Sequence, residues 1–328
     1  MTRRAITTMT TKSPAAEGAP AARGRTQFRR PPRRVVDGVL LLDKPQGLSS
    51  NTALQTARRL LNAAKAGHTG TLDPMATGLL PLTFGEATKF SQMLLDADKT
   101  YEAQVRLGIE TDTGDAEGEV LASHPVAVER AALEAVLSRF RGEIDQVPPM
   151  HSALKRDGKP LYEYARAGIE LERPARRVSI HALELLAFDG ERFSMRVACS
   201  KGTYVRSLAM DIGAALGCGA HLSALRRTRI GPFDVADAVT LERLEAVDEA
   251  GRDRLLAPAD ALVGHFAAVT LDAESAAALL QGRVVRPAPA GPEGTPVRVY
   301  GPQGFLGLAA WQEDGGLAPR RLIATSSG

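Results

Sequence analysis

The chain has 328 residues, of which 44% are hydrophobic and 24% are charged, and its formal net charge is +3. This composition is typical of a soluble globular protein with room for one large domain and one small domain. No apolar run reaches the length of a membrane span, and the polar, basic N-terminus lacks the apolar core of a signal peptide, so we expect a cytoplasmic protein.

The two cysteines, Cys199 and Cys218, lie far apart and neither belongs to a C-x-x-C pair. Structural zinc sites usually need closely spaced cysteine pairs, so this spacing argues against one. Two unpaired cysteines also fit a reducing compartment. We therefore predict no metal site and interpret both cysteines as small core residues.

Positive charge is concentrated at the N-terminus. Residues 1–36 hold nine Lys or Arg and a single acid, Glu17, so their net charge is +8 and that of the remaining chain is −5. The segment has almost no large apolar residues and cannot bury enough surface to fold by itself. We predict a disordered basic arm over 1–36. It either adds salt-dependent attraction to RNA or is only a solvated tail.

Hydrophobic periodicity and turn residues predict the elements along the chain. In chain order they are a strand over 38–45, helices over 49–61 and 86–97, a strand over 99–108, a helix over 128–140, a hairpin turn at 156–159, a helix over 160–168, strands over 178–188 and 192–199, and helices over 205–216 and 240–247. From about residue 263 the chain becomes rich in Gly and Pro, with short strands. This change predicts a small β-rich C-terminal domain.

The stretch over residues 66–91 is rich in glycine and centres on Asp73, which precedes Pro74. Pro74 disfavours the helical conformation for the residue before it, so we predict that Asp73 lies on a turn. In one interpretation Asp73 only accepts backbone hydrogen bonds in that turn. In the other it is a carboxylate nucleophile in a dry pocket. The Asp-Pro pair alone leaves both open.

The string GHTGTLDPMATGLL at residues 67–80 resembles the catalytic motif G-H-T-G-x-L-D-P-x-A-T-G-x-L of the TruB family of bacterial tRNA pseudouridine-55 synthases. The resemblance covers about residues 36–261. It extends to KPQGLSS at 44–50, KTY at 99–101, KGTYVR at 201–206 and LRRTRIG at 225–231. By this resemblance Asp73 is the catalytic residue.

The resemblance also implies roles for the residues around Asp73. Tyr101 would stack on the target uracil and lie close to the proton that must move, and Arg206 would pair with Asp73. We expect that pairing to lower the pKa of Asp73 by about 1–3 units and to keep the carboxylate ionised. The implied substrate-binding residues are Lys44 beside the active site, His68 filling the gap left by a flipped base, Tyr204 on the nucleotide, and Leu225 as an apolar wall.

The resemblance implies an α+β fold of the pseudouridine synthase type. Residues 37–262 would form a large mixed, mostly antiparallel sheet with flanking helices, and residues 263–328 a small PUA-like, RNA-binding β domain. The implied activity is isomerisation of uridine 55 to pseudouridine in the T loop of tRNA, by base flipping and an aspartate nucleophile. The reaction needs no cofactor or metal. We expect a monomer whose partner is the tRNA T stem-loop.

Two alternatives to this function stay open at this point. The chain is a tRNA-binding or folding protein without chemistry, or a metal-dependent nuclease using Asp73, Asp112 and Asp115. The string TDTGDAEG at 111–118 fails the calcium-loop pattern, so we interpret it as an acidic turn. The seven basic residues between 155 and 177 and the arginines over 226–229 either meet RNA phosphates or form solvated surfaces.

Overall fold

The computed structural model describes residues 32–324, so most of the arm predicted over 1–36 lies outside the described residues. A nine-stranded sheet organises the larger part of the fold. Its strands are β1 (Gly38–Lys44), β2 (Ala66–His68), β3 (Thr77–Phe84), β4 (Lys99–Leu107), β7 (Gly142–Gln146), β10 (Arg176–Phe188), β11 (Arg192–Cys199), β12 (Ala220–Ile230) and β13 (Phe233–Asp234). Two small hairpins stand outside it, β5 (Ile109–Thr111) with β6 (Val120–Ser123), and β8 (Lys155–Arg156) with β9 (Lys159–Pro160).

The strand order across the sheet is β1-β3-β12-β4-β11-β10-β7, with β2 on β3 and β13 on β12. All of these pairs are antiparallel except β3 with β12, which run parallel over only two residue pairs. The prediction of a mixed, mostly antiparallel sheet is therefore confirmed. The short parallel contact lies at the centre of the sheet, directly after the loop that carries Asp73.

Helices cover the sheet and divide its apolar side chains into separate cores. The α-helices are α1 (Ser50–Leu60), α2 (Ser91–Leu95), α3 (Arg130–Arg139), α4 (Leu161–Arg166), α5 (Val205–Ala215), α6 (Leu241–Ala246), α7 (Glu249–Asp253) and α8 (Ala273–Leu280). One core contains residues of α3 and α5 with β4, β10, β11 and β12, and another contains residues of α1 and α6 with β1 and β3. Tyr101 and Leu225 pack against both cores, so they lie where the two halves meet.

Every predicted helix and strand has a counterpart in the structure, although β2, β5, β6, β7, β13 and α7 were not predicted. β3 and β12 were not predicted, because one passes through a glycine-rich stretch and the other through an arginine-rich stretch. The helix predicted over 86–97 is a 3-10 helix, Gly85–Phe90, followed by the short α2. The hairpin turn predicted at 156–159 is confirmed, with both Asp157 and Gly158 in the left-handed region.

The β-rich C-terminal region is also confirmed as a separate sheet, with strand order β14 (Ala267–Thr270), β15 (Pro296–Gly301), β16 (Gly304–Trp311) and β17 (Leu317–Leu322). It has its own apolar core under α8. The Tyr300 hydroxyl donates to Asp260 at 2.6 Å, and Phe305 packs against Phe90, so this sheet contacts the larger part. No helix within residues 32–324 is long and apolar enough to cross a membrane.

Candidate active site

Asp73 lies on the loop between β2 and β3, and the described residues bind every backbone carbonyl from Gly70 to Pro74. The Ser50 hydroxyl, at the start of α1, accepts from the Leu72 N–H at 2.7 Å and donates to the Leu72 carbonyl at 2.9 Å. The Asp73 carbonyl accepts from the Ala76 N–H at 3.1 Å. A loop whose carbonyl groups are all bound has few alternative conformations, so Asp73 is held in one position.

The KPQGLSS segment supplies the bonds on the other side of Asp73. The Gly47 N–H donates to the Pro74 carbonyl at 2.8 Å, and the Lys44 ammonium donates to Pro45, Leu48 and Pro74 carbonyls. Lys44 is fully buried, and burial lowers its pKa to about 8. Direct contact between Lys44 and a substrate, predicted from the sequence, would require this loop to move. The geometry fits a positioning role beneath the loop, and substrate binding by Lys44 stays a prediction.

Arg206 contacts the Asp73 carboxylate from the first turn of α5. Its Nε lies 3.2 Å from Oδ2 of Asp73, and its Nη1 lies 3.4 Å from Oδ2 of Asp115. Arg206 and Asp115 are buried, whereas 39% of the Asp73 side chain is exposed. The pairing of Arg206 with Asp73 that the sequence resemblance implied is present. The open side of the Asp73 carboxylate can receive a ligand.

The expected direction of the Asp73 pKa shift was wrong. Burial raises the pKa of Asp73 above its ordinary value, Arg206 and Lys44 lower it, and Asp115 raises it. The net shift is upward because desolvation and the second carboxylate together outweigh the cations. Sequence reasoning counted the arginine and missed the neighbouring carboxylate. A raised pKa also makes a carboxylate more basic and hence more nucleophilic once it is ionised.

The end of β7 fixes the start of α5 and so positions Arg206. The buried Gln146 side chain accepts from the Tyr204 N–H at 2.7 Å and donates to the Tyr204 carbonyl at 3.0 Å. Arg206 donates to the carbonyls of Thr113 at 3.0 Å and His151 at 2.5 Å. The predicted substrate residue Tyr204 is half-buried beside Arg206.

Sequence analysis named Asp115 only as a possible metal ligand in an acidic turn and did not predict its contact with Arg206. The Asp115 Oδ1 accepts from the Thr113 hydroxyl at 2.7 Å and from the Glu117 N–H at 3.1 Å. The acidic turn at 111–118 therefore delivers one buried carboxylate to the far side of Arg206. The turn itself was recognised, but nothing in the sequence indicates which of its acids faces Arg206. Asp112 instead accepts from the Glu119 N–H, and no three potential metal ligands cluster anywhere within residues 32–324.

Tyr101, Leu225 and His68 lie on strands that end around the same loop. Tyr101 of β4 pairs across the sheet with Arg227 of β12, and Leu225 pairs with Ala103. Burial raises the pKa of Tyr101, and the Arg227 guanidinium opposes that rise. His68 of β2 is half-buried, and its Nδ1 has no hydrogen-bond partner among the described residues. Burial and Arg227 lower the pKa of His68.

The arginines of β12 are divided among three environments. Arg226 forms a bidentate ion pair with Asp43, and Arg229 pairs with Asp234 at the surface. Arg227 has only 1% of its surface exposed, so a phosphate contact for this residue, one of the two interpretations of the cluster, is wrong. Alternation along a strand sends neighbouring side chains to opposite faces, which is why adjacent arginines differ.

The basic segment between 155 and 177 is largely exposed. Arg173 and Arg177 are in ion pairs with acids, and the Arg166 guanidinium lies 5.3 Å from the centre of the Tyr162 ring. Lys155, Arg156 and Lys159 on the β8–β9 hairpin are exposed and form no ion pair with any described residue. Arg176 is also exposed and forms no ion pair with any described residue.

Comparisons with known proteins identify the class to which this fold and site belong. Residues 58–205 match the model of the TruB family pseudouridylate synthase N-terminal domain. Residues 206–264 match the tRNA pseudouridylate synthase B C-terminal domain, and residues 267–323 match the pseudouridine synthase II TruB C-terminal model. The fold and site are those of a pseudouridine synthase, an isomerase that modifies RNA.

Curated relatives place the chain within that class. It is 72% identical to the tRNA pseudouridine synthase B of Azoarcus sp. over 300 residues, which cover 92% of this chain and 99% of the relative. It is 67% identical to the enzyme of the same name from Aromatoleum aromaticum, covering 91% of this chain and 96% of the relative. The chain belongs to the TruB family of pseudouridine synthases.

Solved structures agree with this fold. The archaeal box H/ACA Nop10–Cbf5 complex contains a chain that is 28% identical, with a TM-score of 0.67, covering 89% of this chain and 88% of that one. An H/ACA ribonucleoprotein bound to a substrate RNA containing 2′-deoxyuridine gives 26% identity and the same TM-score of 0.67, over 89% of this chain and 87% of that one.

Proposed function

We propose that this chain converts uridine 55 in the T loop of tRNA to pseudouridine, with Asp73 as the nucleophile. The observation that carries the proposal is the state of the Asp73 carboxylate. It is fixed by a hydrogen-bonded loop, paired with the buried Arg206 at 3.2 Å, and still 39% exposed. A carboxylate with only a backbone-capping role would face the backbone and would not need a buried guanidinium.

The reaction breaks the C1′–N1 bond of uridine, turns the base and joins C1′ to C5. Because base and sugar separate, a nucleophile must hold one of them, and the Asp73 carboxylate can bond either to C1′ or to C6 of the base. The proton on C5 must finally leave, and Tyr101 and Asp73 are the residues that we propose as candidates to receive it. The C1′–N1 bond is replaced by a C1′–C5 bond, C5 loses a proton to the solvent, N1 takes one up, and no electrons are gained or lost, so the proposal includes no cofactor and no metal.

The surroundings support the roles proposed for the remaining residues. The target base is stacked in the folded RNA, and flipping it out costs a few kcal/mol. Stacking on Tyr101 returns about 1–3 kcal/mol, with Leu225 and Tyr204 as the other walls. We propose that His68 fills the gap left in the RNA. Its lowered pKa keeps the imidazole neutral, and a neutral ring is cheaper to insert between bases.

We further propose that the β8–β9 hairpin and the C-terminal sheet bind the tRNA outside the pocket. The three exposed cations of the hairpin suit phosphate contacts. The sheet over 267–323 would act as a PUA-like RNA-binding domain. The names of the chain's relatives and the two buried, free cysteines support an enzyme of the reducing cytoplasm, and we propose that it acts as a monomer.

The test is release of tritium from tRNA carrying [5-³H]uridine, by the wild type, by Asp73→Asn and by Asp98→Asn. Asp98 is a matched carboxylate that is 64% exposed at the surface. We expect release by the wild type and Asp98→Asn, and a loss of more than about 10⁴-fold in Asp73→Asn with tRNA binding retained. Release by Asp73→Asn would remove Asp73 from the reaction. If all three proteins bind tRNA and none releases tritium, the tRNA-folding alternative is favoured.

A further inference from the structure

Arg227 is a buried cation without a carboxylate partner. Its side chain is among the largest that are fully buried, and it forms no ion pair with any residue between 32 and 324. An unpaired buried charge usually costs several kcal/mol, so proteins keep one only where it is used. Two other buried cations of this region, Lys44 and Lys99, have pKa values lowered to about 8 and can lose their protons. An arginine stays charged throughout the physiological range.

The donors of Arg227 reach both ends of the Asp73 loop. Nε donates to the Leu79 carbonyl on β3 at 2.8 Å. On the other side of the loop, Nη1 lies 3.5 Å from the Thr71 carbonyl and Nη2 lies 3.4 Å from the Gly70 carbonyl. One planar guanidinium therefore connects the residues that enter the loop with the strand that leaves it. At these distances the two terminal nitrogens form only weak hydrogen bonds.

The sheet register places the same guanidinium beside Tyr101. Residues directly opposite on neighbouring antiparallel strands have Cβ atoms about 4.5–5.5 Å apart on one face, and Tyr101 is directly opposite Arg227. The guanidinium is a positive charge near the Tyr101 hydroxyl, and it opposes the rise that burial causes in the pKa of that hydroxyl. No carboxylate within residues 32–324 pairs with Arg227, so nothing described neutralises this charge.

We propose that Arg227 is a positioning residue for the reaction, which holds the Tyr101 hydroxyl and the Asp73 loop in one geometry and keeps a permanent positive charge beside the Tyr101 oxygen. The inference rests on the proposed function, since it gives Tyr101 a partner for its role at the reacting base. Arg227 itself is covered by the loop and by Tyr101, and it touches neither the base nor the Asp73 carboxylate. It acts by positioning the Tyr101 hydroxyl and the Asp73 loop.

The electrostatics of the neighbouring groups agree with this role. Arg227 counteracts the burial that raises the pKa of Tyr101, so negative charge on that oxygen is less costly than it would be in an apolar pocket. The same charge contributes to the lowered pKa of His68. A single buried cation thereby limits the rise in the pKa of Tyr101 on one side of the pocket and favours a neutral imidazole at His68 on the other.

The first test observes Tyr101 without RNA. The chain has five tyrosines, so [4-¹³C]tyrosine labelling gives five resonances, and Tyr101→Phe assigns the one of interest. We expect this resonance to move in Arg227→Gln and in Arg227→Lys, and to stay in place in Arg229→Gln. Arg229 is the matched control, an arginine of the same strand that is 56% exposed. An unmoved Tyr101 resonance in the folded Gln or Lys variant would overturn the proposal.

The second test asks whether Arg227 acts through Tyr101. We expect Arg227→Gln to lower the single-turnover rate by at least about 100-fold with unchanged tRNA affinity, Arg227→Lys to lower it less, and Arg229→Gln to have no effect. In a Tyr101→Phe background, Arg227→Gln should lower the rate by a clearly smaller factor than in the wild type, because only its contacts with the Asp73 loop remain to be lost. Equal losses with and without the Tyr101 hydroxyl would make Arg227 a purely structural residue.

The two tests also separate this inference from the proposed function. If Arg227→Gln does not fold, Arg227→Lys keeps the charge, and both readouts apply to it. If the wild type produces no pseudouridine, the proposed function fails while the Tyr101 resonance still decides whether Arg227 controls that hydroxyl. An Arg227→Lys protein with the wild-type resonance and the wild-type rate would overturn the inference.

Discussion

The Nε of Arg206 lies 3.2 Å from Oδ2 of Asp73, and this contact joins two segments that are 133 residues apart in the chain. The same guanidinium also meets Asp115, so two carboxylates share one cation. Sharing leaves Asp73 only partly neutralised, which is why burial still raises its pKa. A nucleophile needs this balance, because a fully compensated carboxylate would be oriented but weakly basic.

Replacement of Arg206 by Gln should shift the acid side of the pH–rate profile upward. Arg206 lowers the pKa of Asp73, so without it the carboxylate is protonated at higher pH and less of the enzyme carries the nucleophile. We expect the single-turnover rate to fall by about 100-fold or more near neutral pH, with part of the loss recovered as the pH rises. The single-turnover rate of Arg206→Lys should lie between those of the wild type and Arg206→Gln.

The measurement is the single-turnover rate of pseudouridine formation on saturating tRNA across the acid and neutral range. Arg192→Gln, on the exposed part of β11, serves as the control. An Arg206→Gln profile that is reduced at every pH by the same factor would contradict the electrostatic role, and would leave Arg206 with orientation alone.

Lys99 should make stability depend on pH in an unusual direction. Its ammonium donates to the Leu94, Leu95 and Ala97 carbonyls at the end of α2, and burial lowers its pKa from 10.5 to about 8. Between these two values the unfolded chain binds a proton at Lys99 that the folded chain does not. The free energy of unfolding therefore rises with pH in this window, by up to about 1.4 kcal/mol per pH unit from this group.

Lys99→Met removes that dependence. The free energy of unfolding of the wild type minus that of Lys99→Met should therefore increase as the pH rises from about 8 to 10.5. Urea denaturation at several pH values measures it, because contributions of all other groups cancel in the difference. A difference that stays constant with pH would show that Lys99 has the same pKa in the folded and unfolded chains.

The sequence predicted the elements with ordinary propensities but not the two strands that hold the site together. Gly78 in β3 and the arginines of β12 lack the side chains that indicate a strand, and only the tertiary pairing of β3 with β12 makes them one. The resemblance supplied Asp73 and Arg206. It covered the strings that hold Asp115 and Arg227 but did not indicate that both are buried or that Asp115 contacts Arg206, because a carboxylate in an acidic turn and an arginine in an arginine run are usually exposed.

Gly78 should not tolerate a side chain. Its φ is +100°, and a Cβ there would lie 2.3 Å from the Arg227 carbonyl oxygen and 2.8 Å from the Arg227 nitrogen. Gly78→Ala must therefore push β3 and β12 apart at the short parallel contact. We expect a loss of about 3 kcal/mol or more in unfolding free energy, together with lower activity because Arg227 is displaced.

Gly190→Ala is the matched control for Gly78→Ala. Gly190 has a φ of +103° and no neighbouring atom within 4 Å of a Cβ, so its replacement carries the backbone strain without the clash. We expect a cost of about 1–2 kcal/mol there. Urea unfolding measures the loss of unfolding free energy in each variant. Equal losses would mean that β3 and β12 can separate at Gly78 without any loss of stability beyond the backbone strain.

The β8–β9 hairpin should account for part of the salt dependence of tRNA binding. Lys155 and Lys159 face solvent on either side of its turn, and each phosphate they neutralise releases a condensed counterion. Lys155→Gln with Lys159→Gln should reduce the slope of log affinity against log salt by roughly 1 per lysine that contacts a phosphate. The rate on bound tRNA should be unchanged, because neither lysine belongs to the pocket.

Arg130→Gln with Arg139→Gln removes the same charge from α3 and is the control for a general field effect. If the hairpin meets phosphate directly, only its own variant changes the slope, whereas a field effect would lower affinity equally in both. The chain beyond residue 36 has a net negative charge, so its overall charge does not attract RNA. Equal slopes for the two double variants and the wild type would show that the phosphate contacts lie on another surface.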